Sequence, residues 1–192
     1  ASALTIVPTN DPSVLTSGLL GSGQAITILN VAYSGAGQAS GTFTDGPLGI
    51  GGGTLFTTGT ALGALPPNNS PSTGTSNNLA GDPLCNQLIP GFMSFDATKL
   101  TITFELAAGF TGISFKSIFG SEEYPEWVGT AYNDVYGAYL DGAQVAFDAN
   151  GNSITINGPF FSGGNVVVPP ANGSEYDGST DLLTTLATAA PG

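Results

Sequence analysis

The sequence predicts an all-β fold, mainly an antiparallel β-sandwich or jelly-roll-like arrangement with one or two short helices. The chain has 192 residues, of which 29 are Gly and 13 are Pro, and only 8% are charged. This composition is typical of many short strands joined by turns, and it disfavours a helical bundle. Because the chain is long enough to bury a core, we expect one β-sandwich domain over residues 1–192.

The N-terminal part of the chain carries the signals of a strand, a helix and three further strands. Residues 3–7 (ALTIV) alternate like a short edge strand. Asp11 as the cap, Pro12 at the first helical position and Gly21 as the stop predict a helix over residues 11–21. Its buried face is predicted to consist of Val14, Leu15, Leu19 and Leu20. Further strands are predicted within residues 25–35, 37–44 and 49–59.

Residues 60–91 are predicted to form a long polar loop, because they are rich in Pro and Asn and too poor in apolar residues to pack alone. The single cysteine, Cys85, is expected to be a small buried residue rather than half of a bridge to another chain. The triplets that begin at Asn68 and Asn172 match the N-glycosylation pattern, but such triplets are common by chance.

The second half of the chain has the clearest strand signals. Alternating residues predict strands over 99–106, 112–120 and 134–140. Residues 144–156 are predicted to form a hairpin, with DANGN as its turn. The last residues, 176–192, are predicted to form a short capped helix that runs into Pro191-Gly192.

The charge balance excludes several function classes. The net charge is −12, with two Lys, no Arg and no His. Nucleic acids and anionic membranes both require basic residues, so neither is an expected partner. No apolar run is long enough to insert into a bilayer. Without His, and with one Cys, zinc sites and Ser–His–Asp catalysis cannot be built. Any metal is therefore expected to be a hard cation held by oxygen, with Ca²⁺ the first choice.

Residues 119–142 concentrate five of the 14 acids among several aromatic residues. One interpretation is a solvated acidic loop. A second is a Ca²⁺ site, because no basic residue in this stretch relieves the repulsion between like charges. Its candidate ligands are Glu122, Glu123, Asn133 and Asp134. Adjacent residues of a strand point to opposite faces, so the backbone must turn after Gly120-Ser121 to bring one of the two glutamates to the ion.

Two further alternatives use the same stretch. A glycoside hydrolase would need a carboxylate pair, here Glu122 and Glu123, about 5 to 9.5 Å apart. A Ca²⁺-dependent lectin would place Trp127 and Tyr132 beside the ion to contact sugars. We favour a non-enzymatic structural role over both alternatives. An EF-hand at Asp148 is excluded, because Ser153 stands where Gly is needed and Pro159 where the closing Glu is needed.

The stretch FGSEEYPEWVG, followed by NDVYGAYLDG, resembles the signature of the choice-of-anchor L domain, typically FGSEEYPEFVG followed by NDVFGFFLSG. Residues 19–44, 49–59, 95–106 and 174–185 are similar to other segments of that family. The resemblance implies a secreted, surface-displayed β-rich module of bacteria with an adhesive or matrix-forming role. It implies no catalytic residues.

The resemblance also implies a partner. Family members continue beyond a Pro-Gly pair like Pro191-Gly192 with further strands, and these strands are absent from the sequence. Either the sequence is a fragment, or the open sheet is completed by another polypeptide. We expect completion, by the remainder of a precursor or by a neighbouring copy that builds a filament. Surface glycans are the alternative partner.

Overall fold

The computed structural model describes residues 3–21 and 25–189, and the part that it describes is built almost entirely from antiparallel strand pairs. The longer strands are β1 (Thr5–Pro8), β2 (Ile26–Ser34), β3 (Ser40–Gly46), β4 (Gly51–Phe56), β5 (Lys99–Leu106), β6 (Gly112–Ser117) and β13 (Leu183–Thr188). The two-residue strands are β7 (Gly120–Ser121), β8 (Val135–Tyr136), β9 (Tyr139–Leu140), β10 (Ala143–Gln144), β11 (Ile154–Thr155) and β12 (Gly178–Ser179). The helices are α1 (Pro12–Leu19), α2 (Pro83–Leu88) and α3 (Pro159–Ser162).

The predicted all-β class is confirmed. Strands β1, β3 and β4 form a three-stranded sheet with β1 at its edge, as the alternation of residues 3–7 predicts. The other strands pair two by two: β2 with β5, β6 with β13, β7 with β12, β8 with β11, and β9 with β10. Within the described residues, backbone hydrogen bonds do not join these ribbons into two continuous sheets. None of the described helices is long and apolar enough to cross a membrane.

Helix α1 begins as predicted, but its buried face differs. Asp11 caps the helix by accepting hydrogen bonds from the Ser13 and Val14 backbone N–H groups. Leu15 is fully buried, whereas Val14 and Leu19 are exposed, so their predicted burial is wrong. Thr16 is buried in their place. The Thr16 hydroxyl donates to the Pro12 carbonyl, which satisfies its polar group without water.

The predicted hairpin over residues 144–156 is wrong, because its two halves pair elsewhere. Strand β10 pairs with β9, and β11 pairs with β8. The turn between β9 and β10 is Asp141-Gly142, and both residues have positive φ. That conformation is typical of two-residue hairpin turns, which favour Asp-Gly. The DANGN turn does form, with the Gly151 N–H donating to the Asp148 carbonyl, but it closes a loop and not a hairpin.

The predicted C-terminal helix is also wrong. Residues 178–179 and 183–188 form β12 and β13, while Pro191-Gly192 lies outside the described residues. Along β13, Leu183 and Thr185 are buried while Thr184 and Leu186 are exposed. This period of two, together with the β-branched threonines, favours a strand over the cap signal.

The polar loop 60–91 is more structured than the sequence predicts. It begins with a helical turn whose Ala61 and Ala64 pack in the core with Ile6. It also contains α2, which Asp82 caps. Lys99 on β5 pairs with Asp82 at 2.5 Å. Cys85 is a free, half-buried thiol.

Candidate acidic site

The acidic loop is held beside the C-terminal segment by two aromatic rings. Strand β7, which precedes the loop, pairs with β12. A side chain at Gly120 would lie 2.8 Å from the Tyr176 ring, and one at Gly178 would lie 2.6 Å from the Tyr124 ring. Each glycine therefore leaves room for a ring from the other segment. This packing brings residues 122–134 next to residues 175–177.

We call Glu122, Glu123, Asp134, Glu175 and Asp177 the acidic cluster. The carboxylate of Glu122 faces Asp177 and Glu175. Both of its oxygens are shut off from solvent and lack a hydrogen-bond partner of normal geometry, although the Thr73 N–H and the Asp177 carboxyl are close enough to affect its pKa. Burial, reinforced by the charges of Asp177 and Glu175, raises the pKa of Glu122 to about 7.

Glu175 organises the polar loop. Its side chain is only 4% exposed. Its two oxygens accept hydrogen bonds from the Asn69 N–H, the Ser70 N–H and the Thr73 hydroxyl, at 2.8 to 3.1 Å. Asn68 strengthens this contact by donating to the Asp177 carboxylate at 2.8 Å. Residues 68–73 are thus fastened to the acidic cluster.

Glu123 and Asp134 form a second group with Ser121. The Ser121 hydroxyl donates to the Asp134 carboxylate at 2.6 Å, and the Asp134 N–H donates to the Glu123 carboxylate at 3.0 Å. Burial, followed by the charge of Asp134, raises the pKa of Glu123 to about 7. Burial likewise raises the pKa of Asp134.

The phenol of Tyr176 is buried near carboxylates of both groups. Burial is the main reason that its pKa is raised, and the charges of Asp134 and Glu122 contribute in the same direction. Both carboxylates are therefore close enough to act on one hydroxyl group. That hydroxyl donates to the Thr57 hydroxyl at 3.3 Å.

The predicted calcium ligands do not all meet. Glu123 and Asp134 share hydrogen bonds, Glu122 faces Glu175 and Asp177, and the Asn133 side-chain oxygen accepts from the Asn157 N–H. In the part of the chain that the structure describes, no three acidic side chains are positioned to hold a metal ion as they stand. The four-residue site stays a prediction.

The predicted aromatic contact residues do meet. The rings of Trp127 and Tyr132 stack edge to face with centroids 4.7 Å apart. Trp127 is 46% exposed and Tyr132 57% exposed, so the pair presents an open apolar surface. Asn157 holds this part of the loop by donating to the Thr130 and Tyr132 carbonyls.

Sequence reasoning missed Glu175, Asp177 and Asn68. The signal was available in SEYDG, which places two acids around a tyrosine in a chain with few charges. The two glycosylation triplets have a structural role instead. The Asn68 side chain donates hydrogen bonds to the Glu175 carbonyl and to the Asp177 carboxylate. Asn172 is 1% exposed, and its side chain donates to the Tyr176 carbonyl. Both amide groups are engaged in these hydrogen bonds in the folded chain.

The all-β fold and the acidic loop define the class as a β-rich module carrying the choice-of-anchor L signature. The family model of the choice-of-anchor L domain matches residues 5–158 of the sequence, and the chain belongs to this family. Residues 174–185, which also resemble the family, lie outside that match. No curated protein and no solved structure gives a significant match. Membership indicates a module of surface-displayed or secreted proteins.

Proposed function

We propose that this chain is a structural or adhesive module of the cell surface, non-enzymatic, and that Ca²⁺ bound at the acidic cluster stabilises it. The observation that carries the proposal is the Glu122 carboxylate, whose buried oxygens lack a hydrogen-bond partner of normal geometry and lie beside two other acids. An unpaired buried charge is costly, and such groups are normally paired or bound to a metal.

The chain has almost no other means to neutralise this charge. Of its two lysines, Lys99 pairs with Asp82, and Lys116 lies exposed on β6 opposite Thr184. A hard cation with oxygen ligands suits the cluster. The best-supported position is beside Glu122 and Asp177, with backbone carbonyls and water as further ligands. Binding there requires these side chains to move, since no three acidic side chains of the described residues are positioned to hold a metal ion.

Thermal unfolding with and without Ca²⁺ tests this proposal. Extracellular calcium modules have dissociation constants of about 10⁻⁴–10⁻³ M, so about 10 mM Ca²⁺ stabilises the folded state by about 1.4–2.7 kcal/mol. For a domain of this size, the melting temperature should rise by about 3–10 °C. Asp177→Asn should reduce or abolish the rise, because it removes a carboxylate from the proposed position. Asp134→Ala should reduce it, because it removes a negative charge from the adjacent Glu123 group.

The matched control is Asp141→Asn. Asp141 is an exposed acid of the same segment, in the turn between β9 and β10. It should leave the calcium response unchanged. The calcium proposal is wrong if the parent shows no rise, or if Asp177→Asn and Asp134→Ala both respond like the parent.

We further propose that the β6–β13 ribbon accepts a strand from a neighbouring copy, so that the module polymerises into filaments. Among the described residues, neither strand pairs with a third one. A shallow groove runs along residues 111–114 and 186–188, and Leu186 beside it is 81% exposed. Open strand edges next to apolar surface favour strand addition.

Light scattering over a range of concentrations tests the strand proposal. We expect mass to increase with concentration in the parent and not in Leu186→Glu. Leu62→Glu is the control, because Leu62 is exposed in a helical turn away from both strands. A parent that stays monomeric at all concentrations, or a Leu186→Glu variant that still associates, contradicts self-completion.

The exposed pair Trp127–Tyr132 favours a second candidate function, Ca²⁺-dependent carbohydrate binding. Aromatic faces of this size stack on sugars, and Asn157 donates to the Thr130 and Tyr132 carbonyls beside this pair. A glycan array, with and without a chelator, distinguishes this function from a purely structural one. Trp127→Ala should lose any signal. The glycosidase alternative stays a prediction, for which hydrolysis lost in Glu122→Gln or Glu123→Gln is the test.

A further inference from the structure

The chain contains three Asn-Gly pairs, at residues 150–151, 157–158 and 172–173. An asparagine before glycine can lose its side-chain amide without an enzyme. The backbone nitrogen of the glycine attacks the side-chain carbonyl carbon, ammonia leaves, and a five-membered succinimide forms. Water then opens the ring to give aspartate or isoaspartate. The reaction requires a side chain that is free to rotate onto the backbone.

The fold holds two of these asparagines in place. The Asn157 side chain donates to the Thr130 and Tyr132 carbonyls and accepts from the Gly129 N–H. Asn172 is 1% exposed, and its side chain donates to the Tyr176 carbonyl. Succinimide formation would break these contacts, so both residues are protected while the chain is folded.

Asn150 is different. It is exposed at the tip of the DANGN turn, and its side chain makes no hydrogen bond to the described residues. Its backbone N–H donates to the Asp148 carboxylate at 2.9 Å. Gly151 has φ of +83°, a conformation that glycine adopts without strain. All three glycine N–H groups donate to a backbone carbonyl. The three Asn-Gly pairs therefore differ in the contacts of the asparagine side chain and not in those of the glycine.

We propose that Asn150 is a site of spontaneous deamidation in the folded protein, and that Asn157 and Asn172 are protected by their contacts. The product adds one negative charge beside Asp148. That carboxylate is buried and accepts from the Asn150 and Asn152 N–H groups and from the Asn152 side chain. Isoaspartate also lengthens the backbone within the turn. The modification thus alters the loop between β10 and β11 as the protein ages.

Peptide mapping by mass spectrometry after incubation of the folded chain at mildly alkaline pH tests the inference. Deamidation, with isoaspartate as the larger product, should accumulate at residue 150 and be at least ten times slower at residues 157 and 172. The same incubation in denaturant should bring the three rates within a few-fold of each other. Asn150→Ser should remove the reaction at this turn.

Two results would overturn the proposal. One is a rate at Asn157 or Asn172 in the folded chain equal to that at Asn150. The other is a rate at Asn150 that rises on unfolding as much as the rates at the two protected sites. Asn150→Asp supplies one product directly, and a melting temperature lower than that of the parent is expected for it.

Discussion

Glu122→Gln should stabilise the ion-free protein above neutral pH and leave it unchanged in acid. Glu122 loses its proton near pH 4.5 in the unfolded chain and near pH 7 in the folded one. Between these values the unfolded state releases its proton first, so a rise in pH favours unfolding. The stability that protonated Glu122 contributes is fully present below pH 4.5 and is lost by the time the pH has passed 7.

The magnitude follows from the size of the shift. Each pKa unit is worth about 1.4 kcal/mol, so a fully buried group with this shift would lose about 3 kcal/mol. Although both oxygens are covered, the Glu122 residue as a whole is only half-buried, so nearby solvent still screens part of the interaction and we expect about 1 kcal/mol. Glutamine has nearly the same size and no charge. Above neutral pH the variant should therefore be more stable than the parent by this amount.

Urea unfolding measures the difference at pH 4.5 and at about pH 8, in the presence of a chelator. Glu126→Gln is the matched control, because Glu126 is an exposed acid of the same loop. It should show no pH-dependent gain. If Glu122→Gln destabilises the protein equally at both pH values, the side chain is a structural acceptor, and the charge argument fails.

Two further changes test the contacts around the cluster. Glu175→Ala leaves three donors of residues 68–73 without their acceptor. We expect a loss of about 2–4 kcal/mol in the free energy of unfolding and faster proteolysis of that loop. Unchanged proteolysis would show that the loop is held by other contacts. Gly178→Ala would place a methyl group 2.6 Å from the Tyr124 ring and should lower the free energy of unfolding, measured by chemical denaturation, by about 1–3 kcal/mol. Gly74 has open space around it, so Gly74→Ala should lower it by less than about 1 kcal/mol. Equal losses in the two glycine variants would refute the packing argument.

The sequence predicted the long strands because their signal is local. Strand β5 occupies the predicted residues 99–106, where apolar and polar residues alternate along one sheet surface. Asp11 and Pro12 likewise fixed the start of α1. The C-terminal strand was misread because a local cap signal competed with an alternation of only six residues, and its pairing with β6 lies far away in the chain.

The candidate site was predicted in part for the same reason. The charge pattern of residues 119–142 indicated that acids gather there. Glu175 and Asp177 reach the cluster only through the pairing of β7 with β12, which joins segments almost 60 residues apart. The separation of Glu122 from Glu123 could be expected, because neighbouring side chains point in opposite directions. The residues that each glutamate contacts could not be predicted.

The scarcity of basic residues decides how the acidic cluster can be neutralised. With Lys99 paired to Asp82, either protons or metal ions must compensate Glu122 and Glu123. Their raised pKa values, both about 7, mean that protons do so only up to neutral pH. Above it the cluster carries buried charge next to Glu175, the residue that fastens the polar loop. If calcium binds as proposed, calcium and protons would compete for the same oxygens, because both remove the same repulsion. On this argument, the proposed metal binding and the packing of residues 68–73 would be two consequences of one arrangement of carboxylates.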